Sequence, residues 1–173
     1  MGLSVNNAEL AALWAKQEIR DVLSRYCRGL DRMDREMALS VFHADAPANY
    51  IDMYEGTGHG FVDWVWKAHE GMERHSHQIT NVLIDVDVEA ETAASEAYVT
   101  VCLWTKPDEH GAQIEIVARS RYLDRWSRRD DRWAISDRTH VLDMQVGRPV
   151  AMHASNAESR RDATDPSYGL FGT

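Results

Sequence analysis

An aspartate closing a long amphipathic segment and a histidine opening a strand-like one are the residues best suited to act together. The first is Asp31, at the end of Tyr26-Cys27-Arg28-Gly29-Leu30-Asp31; the second is His77, within His75-Ser76-His77-Gln78-Ile79-Thr80-Asn81. A carboxylate that accepts a hydrogen bond from one imidazole nitrogen fixes the tautomer and leaves the other nitrogen as a general base. Leu23, Cys27 and Asp31 recur at a spacing of four, so Asp31 shares a row with buried-looking side chains. The plainer alternative is a solvated acid ending a helix and an ordinary strand histidine.

Other residues could complete such a site. Tyr26 lies on the apolar stripe of the first helix, and Tyr50 lies on the first strand. A phenol in a pocket donates to a developing oxyanion, or it is simply a core tyrosine with its hydroxyl at the rim. Arg138 shares a strand face with Ala134, Ser136, His140 and Leu142. An arginine among small and apolar neighbours needs an anion: a leaving group, a substrate carboxylate or a structural acid such as Asp31. Asn81 lies two pleats beyond His77; it either orients the ring, binds a substrate oxygen or caps a bulge. Even-numbered Tyr98, Thr100, Cys102 and Trp104 on one strand, with Ala118, Ser120 and Tyr122 on the next, would line a common apolar wall. That wall suits a small hydrophobic or aromatic substrate. Arg119 and Arg121 then point away. His75, His77 and His140 could be read as metal ligands, but no carboxylate or cysteine stands at a supporting spacing, so rim histidines are the expectation and no metal is assigned. There is no glycine-rich phosphate loop, no nucleophile elbow and no Cys–His nucleophile spacing.

The elements that must position these groups are legible as periodicities. Three- and four-residue steps predict a helix over 8–33, capped by Asn6 or Asn7. A short helix follows over 35–42, then a strand over 48–54 ended by Glu55-Gly56-Thr57-Gly58. Phe61, Val62, Val65, Trp66 and His69 predict a third helix stopped near Gly71. Strands are expected over 75–88, 94–105, 113–126 and 132–144, with turns at 106–111 and 128–131. Helices first and a long antiparallel meander afterwards give an α+β domain over 1–147. The sheet is expected to be strongly curved, with four to six strands and the helices in its concave side. Residues 148–173 form a tail that is disordered, or folds over the pocket mouth or a neighbouring subunit.

Bulk properties narrow the partners. A chain of 173 residues with 44% hydrophobic content supports one domain with a real core. A net charge of −9, with a pI near 5.3, argues against nucleic acid or an anionic membrane as partner. The two cysteines, Cys27 and Cys102, fall in apolar runs and read as buried thiols. No stretch has the length of a membrane span and no secretory signal is legible, so a cytoplasmic location is the expectation.

The order of elements, with Ile19-Arg20-Asp21-Val22-Leu23-Ser24-Arg25-Tyr26 running to Asp31, His77-Gln78-Ile79-Thr80-Asn81, Arg121-Tyr122-Leu123-Asp124-Arg125-Trp126 and Arg132-Trp133-Ala134-Ile135-Ser136-Asp137-Arg138, resembles the SnoaL-like branch of the nuclear-transport-factor-two-like superfamily. The resemblance covers roughly residues 8–145. Within that branch the chain most resembles hexachlorocyclohexane dehydrochlorinase, bile acid 7α-dehydratase and, more distantly, scytalone dehydratase. It implies a cystatin-like, cone-shaped fold and a cofactor-independent lyase that carries an Asp–His pair. The family's aspartate then matches Asp31, its histidine His77, its pocket tyrosine Tyr26 and its pocket arginine Arg138. The expected reaction is elimination of water or a similar group from a cyclic or aromatic substrate, in a homo-oligomer (dimer or trimer). An isomerase or cyclase in the same pocket, or a non-catalytic scaffold like a dioxygenase small subunit, remains open.

Overall fold

The computed structural model describes residues 6–150 and 158–170. Helix α1 (Asn7–Asp31) leads, then α2 (Arg35–Ser40), β1 (Pro47–Tyr50), β2 (Tyr54–Thr57) and α3 (Gly58–Glu70). Four long strands follow: β3 (Met72–Asp87), β4 (Thr92–Thr105), β5 (Ile114–Arg129) and β6 (Arg132–Pro149). Asn6 starts α1 with a reciprocal capping box: its side chain accepts from Glu9 N, and Glu9 accepts from Asn6 N. The side chains of Asp34 and Thr57 cap α2 and α3.

The strands form one curled sheet in the order β2-β1-β6-β5-β4-β3, antiparallel except for the parallel β1–β6 pair. The helices fill its concave side, and the core runs from Ile19, Leu23 and Tyr26 of α1 to Tyr122, Trp126 and Ile135 of the sheet. The turn between β5 and β6 is a two-residue loop, Asp130-Asp131, with Arg129 opposite Arg132 and φ of 50° and 57°. Two consecutive positive φ values match the right-handed strand twist, and aspartate tolerates them.

Two expectations need correction. The segment read as one strand over 48–54 is a hairpin: Met53 N donates to Tyr50 O, Asp52 takes φ 64°, and Tyr54 pairs back onto Tyr50. The supposed terminator Glu55-Gly56-Thr57 is therefore the second strand. In addition, β3 changes face partway. Ile79 pairs with Val99 but Val82 pairs with Ala97, so a bulge inserts one extra residue. His75, His77 and Ile79 face inward before it; Val82, Ile84 and Val86 do so after it. Asn81 falls in the bulge and is exposed.

Residues 158–170 lie against the end of α1. Asp165 receives Arg32 at 3.0 Å, Ser167 receives Arg28 at 3.0 Å, and Tyr168 donates to Asp34 at 3.0 Å. Arg161 donates to the backbone carbonyls of His69 and Met72. Phe171, which the sequence singles out near the end of the tail, lies outside the described residues. Among the described residues no helix is long and apolar enough to cross a membrane.

Candidate active site

Helix α1 ends at Asp31, where Arg32 N turns back to Arg28 O and Leu30 O. The helix packs along β3, so its last carboxylate arrives beside His77. Asp31 Oδ1 lies 2.6 Å from His77 Nδ1, and both carboxylate oxygens accept from His77 N at 3.1 and 3.0 Å. A carboxylate only accepts, so Nδ1 carries the hydrogen and Nε2 is left with a lone pair. The His77 side chain is 5% exposed and Asp31 14%. The negative end of a helix dipole disfavours a carboxylate. Three hydrogen bonds from one residue offset that cost and fix the imidazole's tautomer and orientation.

His77 opens onto a cavity of about 180 Å³ between α3 and the sheet. Phe61, Trp64 and Val65 of α3 wall one side; Val101, Leu103 and Ile116 wall the other. Polar groups enter from Tyr26, Tyr50, His69, Ser120, Tyr122 and His140. Among the described residues no Lys, Arg, Asp or Glu side chain lines it. The Tyr26 and Tyr50 hydroxyls are 2.7 Å apart, and Tyr50 stacks on Phe61 with ring centroids 3.4 Å apart. Burial raises both phenols' pKa values, so they are donors rather than phenolates. Burial also pushes the Cys27 thiol up to about 12, aided by Asp31, which removes it as a nucleophile.

The structure brings some of the expected residues together and disperses others. His77, Tyr26, Tyr50, Tyr122 and His140 line the cavity; Asp31 holds His77 from behind and itself opens onto a separate polar pocket with Arg28, Arg32, Asp165 and Ser167. Arg138 does not reach it. Its fully buried guanidinium makes two 2.7 Å bonds to Asp124, whose side chain is equally buried. It also sits 4.0 Å from the Tyr122 ring centroid and 4.5 Å from that of Tyr26. Its structural acid is therefore Asp124, not Asp31. On β4 the expected face is reversed: Val101 and Leu103 line the cavity, not Tyr98, Thr100 or Trp104. Tyr98 is 43% exposed, and Trp104 donates to Glu115. The cause is register. Val101 stands opposite both His77 and Ala118, and directly paired residues share a sheet face. Even positions of β5 therefore go with odd positions of β4. Arg121 does point away, to Glu96 and Asp143.

His69 is a site residue that the sequence reading misses. It sits eight positions after Phe61 and four after Val65, on the stripe of α3 that faces the cavity. A histidine on an otherwise apolar helical stripe is the signal that marks it. Among the described residues no group of His, Cys, Asp and Glu is arranged to hold a metal ion.

Residues 11–139 match the profile of the SnoaL-like domain family. Among solved structures the chain is similar to a hexachlorocyclohexane dehydrochlorinase (LinA, type 2), with TM-score 0.72 and 16% identity over 86% of this chain and 98% of that one. A proposed scytalone dehydratase from Novosphingobium aromaticivorans DSM 12444 gives TM-score 0.67 and 18% identity over 83% and 93%. A protein of unknown function from Mycobacterium tuberculosis gives 0.61 and 23% over 76% and 73%. At these identities the shared property is the fold. No curated protein matches the sequence. The profile match spans most of the helices and sheet just described, and the chain belongs to the SnoaL-like domain family.

Proposed function

We propose that this chain is a lyase that eliminates water or another small HX from a neutral cyclic or aromatic substrate. The observation that carries the reading is the 2.6 Å contact by which Asp31 holds His77, whose ring lines a largely apolar cavity. His77 Nε2 takes a proton from carbon, the released electron pair forms the double bond, and the leaving group departs with its own bonding pair. Asp31 stabilises the imidazolium that forms. The hydroxyl pair of Tyr26 and Tyr50 donates to the departing oxygen or halide. Arg138 acts from behind these rings as a positioning residue: its charge works against the burial that pushes Tyr50 up. Elimination of HX changes no oxidation state overall, so proton acceptor and donor suffice. The described residues supply both, which supports a reaction independent of any cofactor.

The similarity to a dehydrochlorinase and a proposed dehydratase supports the same class. Exposed Leu10, Leu13 and Trp14 on α1, with Met144 and Val146 on β6, support a homo-oligomer that covers them.

The test is a mass-spectrometric screen of neutral cyclic β-hydroxyketones and polychlorinated cyclohexanes in deuterated water. Loss of HX by the native chain is expected, with Asp31→Asn and His77→Gln reducing turnover by about 10²–10⁴-fold. Deuterium uptake without loss of mass would instead make it an isomerase. Unchanged turnover in Asp31→Asn would remove the dyad.

A further inference from the structure

Behind the dyad, Asp31 opens onto a polar pocket of about 480 Å³ that Arg32 and Asp165 also line. Arg32 follows Asp31 directly in the chain. A guanidinium fork matches both oxygens of a carboxylate. Those two oxygens are the ones that His77 N and Nδ1 engage. The cation next to Asp31 in the chain is therefore a competitor for the acid that aims the imidazole.

The C-terminal segment draws Arg32 the other way. Arg32 Nη1 donates to Arg160 O at 2.6 Å and to Asp165 Oδ2 at 3.0 Å. Asp165 is only 9% exposed, and its carboxylate also accepts from Arg160 N and Ser167 N at 3.1 Å each and from Ser167 Oγ at 2.5 Å. The Ser167 hydroxyl first, and then these two N–H groups, hold its carboxyl well below the ordinary range, so it stays an anion. The segment is anchored to α1 on both sides of this pair, by Arg28 donating to Ser167 and Tyr168 donating to Asp34. Arg161 is a second cation on which the charge of Asp31 acts. Its two terminal nitrogens donate to the carbonyls of Met72 and His69.

We propose that Asp165 is a positioning residue: by holding Arg32 it keeps that guanidinium off Asp31 and leaves both carboxylate oxygens to His77. This rests on Asp31 and His77 forming the catalytic pair. An Arg32 released from Asp165 would make two charge-assisted bonds to Asp31 in place of those that orient the ring. The C-terminal segment thus acts on the site from behind. Among the described residues none of 158–170 lines the apolar cavity itself.

The reporter is the backbone N–H of His77. Strand β3 is an edge of the sheet, and this N–H donates outward to Asp31. Its hydrogen exchange is followed by NMR in the full chain, beside the amides of Val99 and Tyr122 in the middle of the sheet. The His77 amide is expected to be protected in the native chain. Asp165→Ala should speed its exchange at least about tenfold, with Val99 and Tyr122 changing by less than about twofold. Asp165→Asn, which keeps one acceptor oxygen, should speed it less. Adding Arg32→Leu to Asp165→Ala removes the competitor and should bring His77 back to within about threefold of native. A His77 amide unchanged in Asp165→Ala, no recovery in the double variant, or equal acceleration at all three amides would overturn the proposal and leave the dyad standing. A His77 amide that is unprotected in the native chain would show that Asp31 does not hold it, and the function assigned to the pair would fall as well.

Discussion

A carboxylate at the C-terminal end of a helix is in the wrong place for stability. Asp31 faces the negative pole of α1, largely shut off from water, and is held there by its bonds to His77. Under the proposed function that cost is carried by a group kept for chemistry rather than for the fold. Arg138 makes the opposite case. Its type and strand face suggest an anion binder, but both members of the Arg138–Asp124 pair are completely buried and engage each other through two bonds. Removing one member strands a charge in the core. Arg138→Met is expected to cost about 3–5 kcal/mol, and Arg138→Met with Asp124→Leu to recover much of it. Urea unfolding of the two variants checks this. A single substitution costing under about 1 kcal/mol would show that the pair is not structural. Residue type alone does not separate these two fates, because the partner of Arg138 lies on another strand, across the β5–β6 turn.

At the level of elements, the helices are legible because their signals are local: an asparagine at the start of α1 and the apolar stripes of α1 and α3. The contact between Asp31 and His77 is legible for the same reason, since each partner ends or opens an element. The cavity wall is not. Which face of β4 points inward is decided by pairing with β3 and β5 across a bulge, and nothing within β4 encodes it. Tyr98, Thr100 and Trp104 look like a binding surface because they are aromatic and polar; the inward row is aliphatic. One contact between elements is narrow enough to test. A Cβ added at Gly29 would stand 2.8 Å from Ala38 N and 3.1 Å from Ala38 Cα, where α1 crosses α2. In an open helix, glycine to alanine gains about 0.5–1 kcal/mol. Here Gly29→Ala must push backbone aside close to Asp31, and a net loss of about 1–3 kcal/mol is expected in urea unfolding. A stabilised variant would mean the crossing is looser than the geometry indicates.

For the whole molecule, the buried histidines set a pH limit. Burial, the largest cause in each case, holds His69 near 2 and both His75 and His140 near 4, against an ordinary 6.5. His69 and His140 line the cavity and His75 packs against His69; all three stay neutral in the folded chain, whereas the unfolded chain protonates them below about pH 6.5. Between roughly pH 6.5 and 4 the unfolded state therefore binds more protons, and stability falls as pH falls, by up to about 1.4 kcal/mol per histidine and pH unit. The surface carboxylates Asp45, Asp143 and Asp162, held low by their hydrogen bonds, act in the same direction only below the ordinary carboxylate range. The histidine window therefore comes first on acidification. Urea midpoints measured from about pH 7 to 4.5 should decline steadily from about pH 6.5. His75→Leu, which removes a ring that the dyad does not use, should flatten the slope by about one proton. If the midpoints stay level down to about pH 5, these imidazoles are not shielded from water and the cavity is wet.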